Sequence, residues 1–176
     1  MQSDEQLMLE FKGGSNEAFE ELFSRYRNPI YGFFRRRLNH GARAEELAQE
    51  TFVIIIRGVE RYETTATFRT YIFSIALKQL WSERRKGLRE ARTTEMSLET
   101  GPSTDPTTGL WIRDAISRMD PDHREVLMLR EYEQLSYEEI AEVLAIPLNT
   151  VRSRLLRARN EVRILLDEQS MKGVSR

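Results

Sequence analysis

Residues 136–159 read SYEEIAEVLAIPLNTVRSRLLRAR, and the fold follows from this stretch. Ser136 stands three residues ahead of Glu139, the capping-box spacing in which the hydroxyl and the carboxylate each satisfy a backbone amide of the other residue. It opens a short helix, YEEIAEVL. Ala145, Ile146 and Pro147 then make a tight turn, and Asn149 is suited to cap a second helix. In that helix Val151, Leu155, Ala158 and Val162 recur at spacings of three and four, so they share the inward side. Two helices joined by a short turn, the second rich in arginine, are the pattern of a helix-turn-helix. Residues 148–163 carry five arginines against the single Glu161, whereas YEQLSYEEIAEVL just before them is acidic. The formal net charge is only −1. The distribution of charge, and not its total, therefore points to a face for an anionic partner.

In a helix-turn-helix the second helix enters the major groove with its N-terminal end foremost. The inward stripe leaves Asn149, Thr150, Arg152, Ser153, Leu156 and Arg157 as the candidate DNA-facing residues. Arginine bonds guanine bidentately, small hydroxyls and backbone amides suit phosphate, and Leu156 can touch a thymine methyl. Arg154, Arg159 and Arg163 point partly sideways, where DNA contact and salt bridging are both open to them.

Upstream, Asp120-Pro121 supplies a cap and a first-turn proline for a helix carrying Val126, Leu127 and Leu129, and LWIRDAISRM precedes it as a further helix. Between 87 and 109 the sequence GLREARTTEMSLETGPSTDPTTG is rich in Thr, Ser, Gly and Pro with few large apolar residues, and reads as a flexible linker. Two small all-helical domains, 1–88 and 110–176, joined by a linker over 89–109, are therefore expected. The first domain starts helical from Ser15, where Phe19, Leu22, Phe23, Tyr26 and Ile30 form a stripe. Pro29 must kink that helix or restart it with Asn28 as cap. Phe33, Phe34 and Leu38 continue the stripe until NHG at 39–41 offers a left-handed cap. A second helix is expected over 44–61, with VIII at 53–56 embedded in its longer helical period and Glu45, Glu46, Gln49 and Glu50 on the face opposite its apolar side. RYETTATFRT breaks the pattern. A third helix then turns Phe68, Ile72, Ile75, Ala76 and Leu80 inward and ends in the basic run ERRKG.

The chain has 176 residues, of which 40% are hydrophobic and 31% charged. That is enough apolar material for cores and too much charge for a membrane protein. The N-terminus, MQSDEQLMLEFKGG, has neither a basic leader nor an apolar stretch, so a cytoplasmic protein without stable membrane insertion is expected. There is no cysteine, and His40 and His123 alone cannot make a structural zinc site. No P-loop, HExxH or Gly-rich dinucleotide turn is present, so no cofactor is expected and an enzyme is the weakest of the possible functions.

Read together, EAFEELFSRYRNPIYGFFRRRL, AEELAQETFVIIIRGVERY and TFRTYIFSIALKQLWSERR resemble region two of the extracytoplasmic-function (ECF) sigma factors almost without gaps. The stretch from Leu110 to about Leu166 resembles region four of the same family, so the resemblance spans nearly the whole chain apart from linker and tails. It implies a transcription initiation factor that binds core RNA polymerase, through the clamp helices of the largest subunit and the flap region, and directs it to promoter DNA. In that family the helix matching 44–57 binds the clamp helices. Glu45, Glu46, Gln49 and Glu50 would offer acceptors there to arginines of a basic helix. The loop at 62–67 and the helix from Phe68 match the part that melts the -10 element and holds an extruded base. Tyr62, Phe68 and Tyr71 would supply aromatic faces, and Arg69, Lys78, Arg84, Arg85 and Lys86 would follow phosphates. Phe68 also lies on the inward stripe, where core packing is equally open to it. Region four implies -35 recognition by the arginine-rich helix. The family further implies an anti-sigma factor, often membrane-tethered, as a regulatory partner.

Four positions depart from the family's usual pattern: Tyr71 stands for tryptophan, Lys78 for asparagine, and Ala145 and Asn149 for glycines of the turn. The first is conservative and the second bears on base selection at the -10 element. Ala145 requires the turn to tolerate a β-carbon, and Asn149 is the usual next choice after glycine. A free-standing helix-turn-helix regulator is the competing reading. Such a protein would not need the acidic helix and aromatic loop of the first half, and the ligand or phosphoacceptor domain it usually brings is not visible.

Overall fold

A computed structural model of the chain describes residues 2–38, 40–93 and 109–173. Every regular element among them is helical, and they divide into two compact units, Met1–Gly101 and Pro102–Arg176. No described helix is long and apolar enough to cross a membrane.

The first unit opens with a helix that the sequence reading does not anticipate, α1 (Asp4–Lys12). Ser3 accepts from the Gln6 amide at 3.2 Å while the Gln6 side chain accepts from the Ser3 amide at 3.0 Å, a complete capping box. Leu7 and Met8 turn inward and are buried. Gly14, at φ 101°, reverses the chain, and Ser15 caps α2 (Asn16–Arg35). That helix is continuous through Pro29, so Asn28 caps nothing. The proline deletes one intrahelical hydrogen bond, and the buried stripe of Leu22, Tyr26, Ile30, Phe33 and Phe34 holds the helix together across it. The expected left-handed cap at 39–41 is also corrected. The helix ends in a right-handed residue, Arg36, and Gly41 is instead the first residue of α3 (Gly41–Gly58); Asn39 lies outside the described residues.

In α3 the VIII run is helical, with Leu47, Ala48, Phe52 and Ile55 buried; a single 3-10 turn (Val59–Arg61) follows it. Next comes α4 (Phe68–Thr93), which buries Phe68, Ile72, Phe73, Ala76, Leu77 and Leu80 and leaves Ile75 half-buried. It runs on past Gly87 to Thr93, so the start expected for the linker is helical; 94–108 lie outside the described residues.

The second unit holds α5 (Gly109–Arg118), α6 (Pro121–Glu131), α7 (Tyr137–Leu144) and α8 (Leu148–Gly173). Asp120 caps α6 by accepting the Asp122 and His123 amides, with Pro121 as its first residue. Glu161 reaches from α8 to the same end, accepting from the Asp120 amide and lying 2.9 Å from His123 Nδ1. Ser136 and Glu139 close the expected box at 3.0 and 2.8 Å. The turn after α7 puts Ala145 at φ 53°, ψ 46°, and the Ile146 amide bonds the Ala141 carbonyl at 3.0 Å, a Schellman-type closure. Asn149 does not cap α8. The Pro147 carbonyl takes the Thr150 and Val151 amides at 2.9 and 3.2 Å, which puts Asn149 inside the first turn with a right-handed backbone.

Candidate nucleic-acid interface

The candidate DNA-facing surface is set by what α8 buries. Val151, Leu155 and Ala158 are fully inward against α6 and α7, which fixes the rotation of the helix about its axis. The opposite side presents Asn149, Arg152, Ser153, Leu156 and Arg157 to solvent, with Thr150 half-buried at the edge. Leu156 is 64% exposed, an apolar side chain in the middle of a polar stripe. Asn149 Oδ1 accepts from Arg152 Nη1 at 3.2 Å, and Ser153 Oγ donates to the Thr150 carbonyl at 3.0 Å. The flanking arginines differ. Arg154 pairs with Asp122 of α6, and Arg159 lies 3.4 Å from Glu131. Two of the sideways cations thus brace the motif, while Arg152 and Arg157 make no ion pair among the described residues. The surface therefore combines hydrogen-bond forks, one apolar contact and small hydroxyls on the leading face of a helix, the chemistry that reads base edges and phosphates.

In the first unit the loop 62–67 joins the 3-10 turn to α4. Thr67 accepts from the Thr70 amide at 3.1 Å and so caps the new helix. The expectation that Tyr62 offers a free aromatic face is corrected: it is 3% exposed, with its ring centroid 5.3 Å from that of Tyr71 and 6.5 Å from that of Phe68. Burial, together with the nearby Glu5 carboxylate, pushes its phenol up to about 12. Phe68 is buried at 1% and packs edge-on to Tyr26, which decides for core packing between the two roles open to it. Tyr71 and Arg69 are half-buried, whereas Lys78, Arg84, Arg85 and Lys86 are exposed along α4. Lys78 and Arg85 share a face with Trp81, which is 38% exposed. Trp81 is legible in the sequence only as an aromatic three residues from one cation and four from another.

On α3 the four expected acceptors are all exposed but have different surroundings. Glu46 and Glu50 lie 2.8 and 3.4 Å from Arg43 Nη1, and the same guanidinium bonds both oxygens of Glu83 on α4 at 2.8 Å. The hydrogen bond to Glu83, then that to Glu46, raises the Arg43 pKa; reciprocally, Arg43 holds the Glu83 carboxyl below its ordinary value. Glu45 and Gln49 instead line a cleft of about 330 Å³ between α2 and α3, together with Phe23, Arg27, Tyr31 and Phe52. Phe23 and Tyr31 are exposed there at 39% and 40%. The cleft pairs acceptors with aromatic surface.

Known proteins match each unit separately. Residues 22–90 match Sigma-70 region 2, and residues 109–162 match Sigma-70, region 4. The chain is 33% identical over 171 residues to RNA polymerase sigma factor CarQ of Myxococcus xanthus, covering 92% of this chain and 96% of that protein. It is 28% identical to the ECF RNA polymerase sigma-E factor of Haemophilus influenzae, covering 91% and 93% of the two chains. Its fold is similar to that of the sigma factor RpoE in a co-crystal with the anti-sigma factor NepR from Bartonella quintana, with a TM-score of 0.71 at 23% identity, over 85% of this chain and 96% of that one. A region 2 match followed by a region 4 match, and a relative one third identical end to end, place the chain among the RNA polymerase sigma factors of the ECF type, the subunits that direct transcription initiation.

Proposed function

We propose that this sigma factor divides promoter recognition between its two units, α8 reading the -35 element and the 62–67 loop with α4 engaging the -10 element. The observation that carries the reading is the outward row of α8. Five outward positions, Asn149, Arg152, Ser153, Leu156 and Arg157, carry only groups that bond or touch DNA, while the cations beside them are taken up by Asp122 and Glu131. In the first unit Lys78, Arg84 and Arg85, with Trp81, form the cationic and aromatic track for the nontemplate strand, and Tyr71 lies about two turns ahead of Lys78 on the same side of α4, whereas Arg69 projects from the opposite side with its Nε buried. Tyr62 supports that site from the core side. Core polymerase docks on α3 through Glu45, Glu46, Gln49 and Glu50, with the aromatic cleft beside Glu45 and Gln49 receiving apolar groups of the clamp helices. The domains are residues 1–88 and 110–176, extended on the first side by the last turns of α4.

The chain acts by binding and redirecting an enzyme, carries out no catalysis itself, and works in the cytoplasm where polymerase and DNA meet. RpoE in the co-crystal is held by an anti-sigma factor, and we infer the same class of partner here, covering the polymerase-binding surface of the first unit. Transcription of genomic DNA by core polymerase with and without this chain, with start sites mapped, is the direct test. A set of start sites that appears only with the chain and shares -35 and -10 sequences is expected; the same start sites with and without it refute the reading.

A further inference from the structure

Helix α1 reaches the two ends of the 62–67 loop with charged side chains, and both contacts fall on backbone. Glu5 Oε1 accepts from the Phe68 amide at 2.9 Å, at the far end of the loop. Lys12 Nζ donates to the Tyr62 carbonyl at 3.0 Å, at its near end. The helix is itself fixed to α2. Asp4 takes Arg25 at 2.6 Å and the Tyr26 hydroxyl, and Arg25 also donates to the Gln2 carbonyl at 3.1 Å. Between its ends Glu63, Thr64 and Thr65 are exposed and Ala66 is half-buried, while Thr67 is tied to Thr70 at the start of α4.

The electrostatics suit the arrangement. The first amides of α4 have no intrahelical partner, and the positive end of the helix dipole favours an anion. Thr67 satisfies the Thr70 amide and Glu5 satisfies the Phe68 amide. Burial pushes the Glu5 carboxyl up, but the Phe68 amide, its own amide and Ser3 outweigh it and hold the group below its ordinary value.

We propose that Glu5 and Lys12 are positioning residues for -10 recognition: α1 pins both ends of the 62–67 loop and so sets the shape in which the loop meets the nontemplate strand. This rests on reading that loop as part of the -10 site. A loop ordered before binding loses less conformational entropy when the strand arrives, so the pins act on single-strand affinity and not on core or -35 affinity.

The test uses the full chain with core polymerase and a nontemplate-strand oligonucleotide taken from a start site mapped with this protein. Glu5→Ala with Lys12→Met removes both pins and leaves Leu7 and Met8 to pack. Glu5→Gln with Lys12→Arg keeps an acceptor and a donor in place and serves as the rescue. Amide hydrogen exchange at 63–68 should speed about tenfold in the first variant, and the holoenzyme should bind the oligonucleotide about fivefold more weakly, the loss of one or two partly exposed charge-assisted bonds. Core affinity and binding to a -35 duplex should not move, and the Gln/Arg variant should stay within about twofold of the parent in every assay. Unchanged exchange at 63–68, unchanged single-strand affinity despite faster exchange, or an equal loss of core binding each overturns the proposal. Single substitutions at Glu5 and at Lys12 repeat the measurement with half the perturbation should the pair disturb folding. Thr64→Ala with Thr65→Ala, which leaves α1 intact, separates the two layers. If that variant also leaves -10 binding unchanged, the loop is not the -10 site; if it alters -10 binding while the α1 variant does not, only the positioning role falls.

Discussion

Replacing Arg157 by alanine should change which -35 sequences the protein prefers. Asn149 and Arg157 are eight residues apart on the outward side of α8, about 12 Å along the axis at the α-helical rise. That length along the groove spans three to four base pairs at about 3.4 Å each, while the helix diameter of about 10–12 Å fits a major groove about 12 Å wide. Arg152 and Arg157 are about 7.5 Å apart on the same rise, so they address base pairs roughly two steps from each other. Arg157 is exposed and makes no ion pair among the described residues, so its donors are available to a guanine edge without breaking an existing contact. Loss of a bidentate guanine pair costs about 1–3 kcal/mol, about 5- to 150-fold in affinity, confined to one or two positions. Arg154→Ala is the internal control. Its guanidinium pairs with Asp122, and an exposed pair of that kind contributes about 0–1 kcal/mol to the fold. Holoenzyme carrying each variant would be used to select from duplexes with a randomised -35 element and a constant -10 element, followed by affinity measurements across a salt series. Arg157→Ala should flatten preference at one or two positions and leave the others unchanged. A uniform loss with a salt slope smaller by about 0.9 would make Arg157 a phosphate contact instead. Full retention of both preference and affinity would refute the assignment of this side of α8 as the -35 reader.

Arg152→Ala should weaken binding as well, and the same selection decides whether the loss is uniform or local, since Arg152 is steered by Asn149. Charge reversal at Glu46 and Glu50 together should weaken the core complex without unfolding the unit, because Arg43 keeps its two bonds to Glu83; core affinity and thermal unfolding report the two effects separately. Reversal at Glu45 should weaken the complex more than reversal at Glu46, whose charge Arg43 already offsets. Ala145→Gly should stabilise the second unit by about 0.5–1 kcal/mol in urea unfolding, since relief of a left-handed alanine, about 1–2 kcal/mol, exceeds the entropy glycine adds to the unfolded chain. The Glu83 carboxyl is depressed by Arg43, so its contribution is present above its ordinary value of 4.5 and is lost as pH falls through the lower folded value; the stability gap between parent and Glu83→Gln should therefore narrow in acid, and a gap constant from about pH 7 to about pH 3 would count against the assignment.

Local signals carried much of the architecture. The capping box at Ser136 and Glu139, the Asp120-Pro121 start and the stripe of Val151, Leu155 and Ala158 act within a few residues of chain, and each is found where its spacing predicts. The missed α1 had such a signal too, Ser3 with Gln6 ahead of Leu7 and Met8, but a nine-residue helix has too few turns for its period to stand out. Asn28 and Asn149 fit the chemistry of caps and cap nothing. At Asn28 the buried face on both sides of Pro29 outweighs one lost hydrogen bond, and at Asn149 the helix has already begun, with Pro147 in the cap position and its carbonyl accepting the Thr150 and Val151 amides.

Periodicity and capping depend on neighbours in the chain, so every helix but α1, the helix-turn-helix and the outward row of α8 were legible without the fold. Which polar groups remain open for a partner depends on packing. Arg43 is claimed by Glu83 forty residues away, Arg154 by Asp122, the Tyr62 ring by Phe68 and Tyr71, and the ends of the 62–67 loop by Glu5 and Lys12. Apart from the Tyr62 ring, whose neighbours are six and nine residues on, each of those pairings depends on where packing brings two distant segments together, and a side chain's type and spacing say only that it can make such a bond, not with which partner.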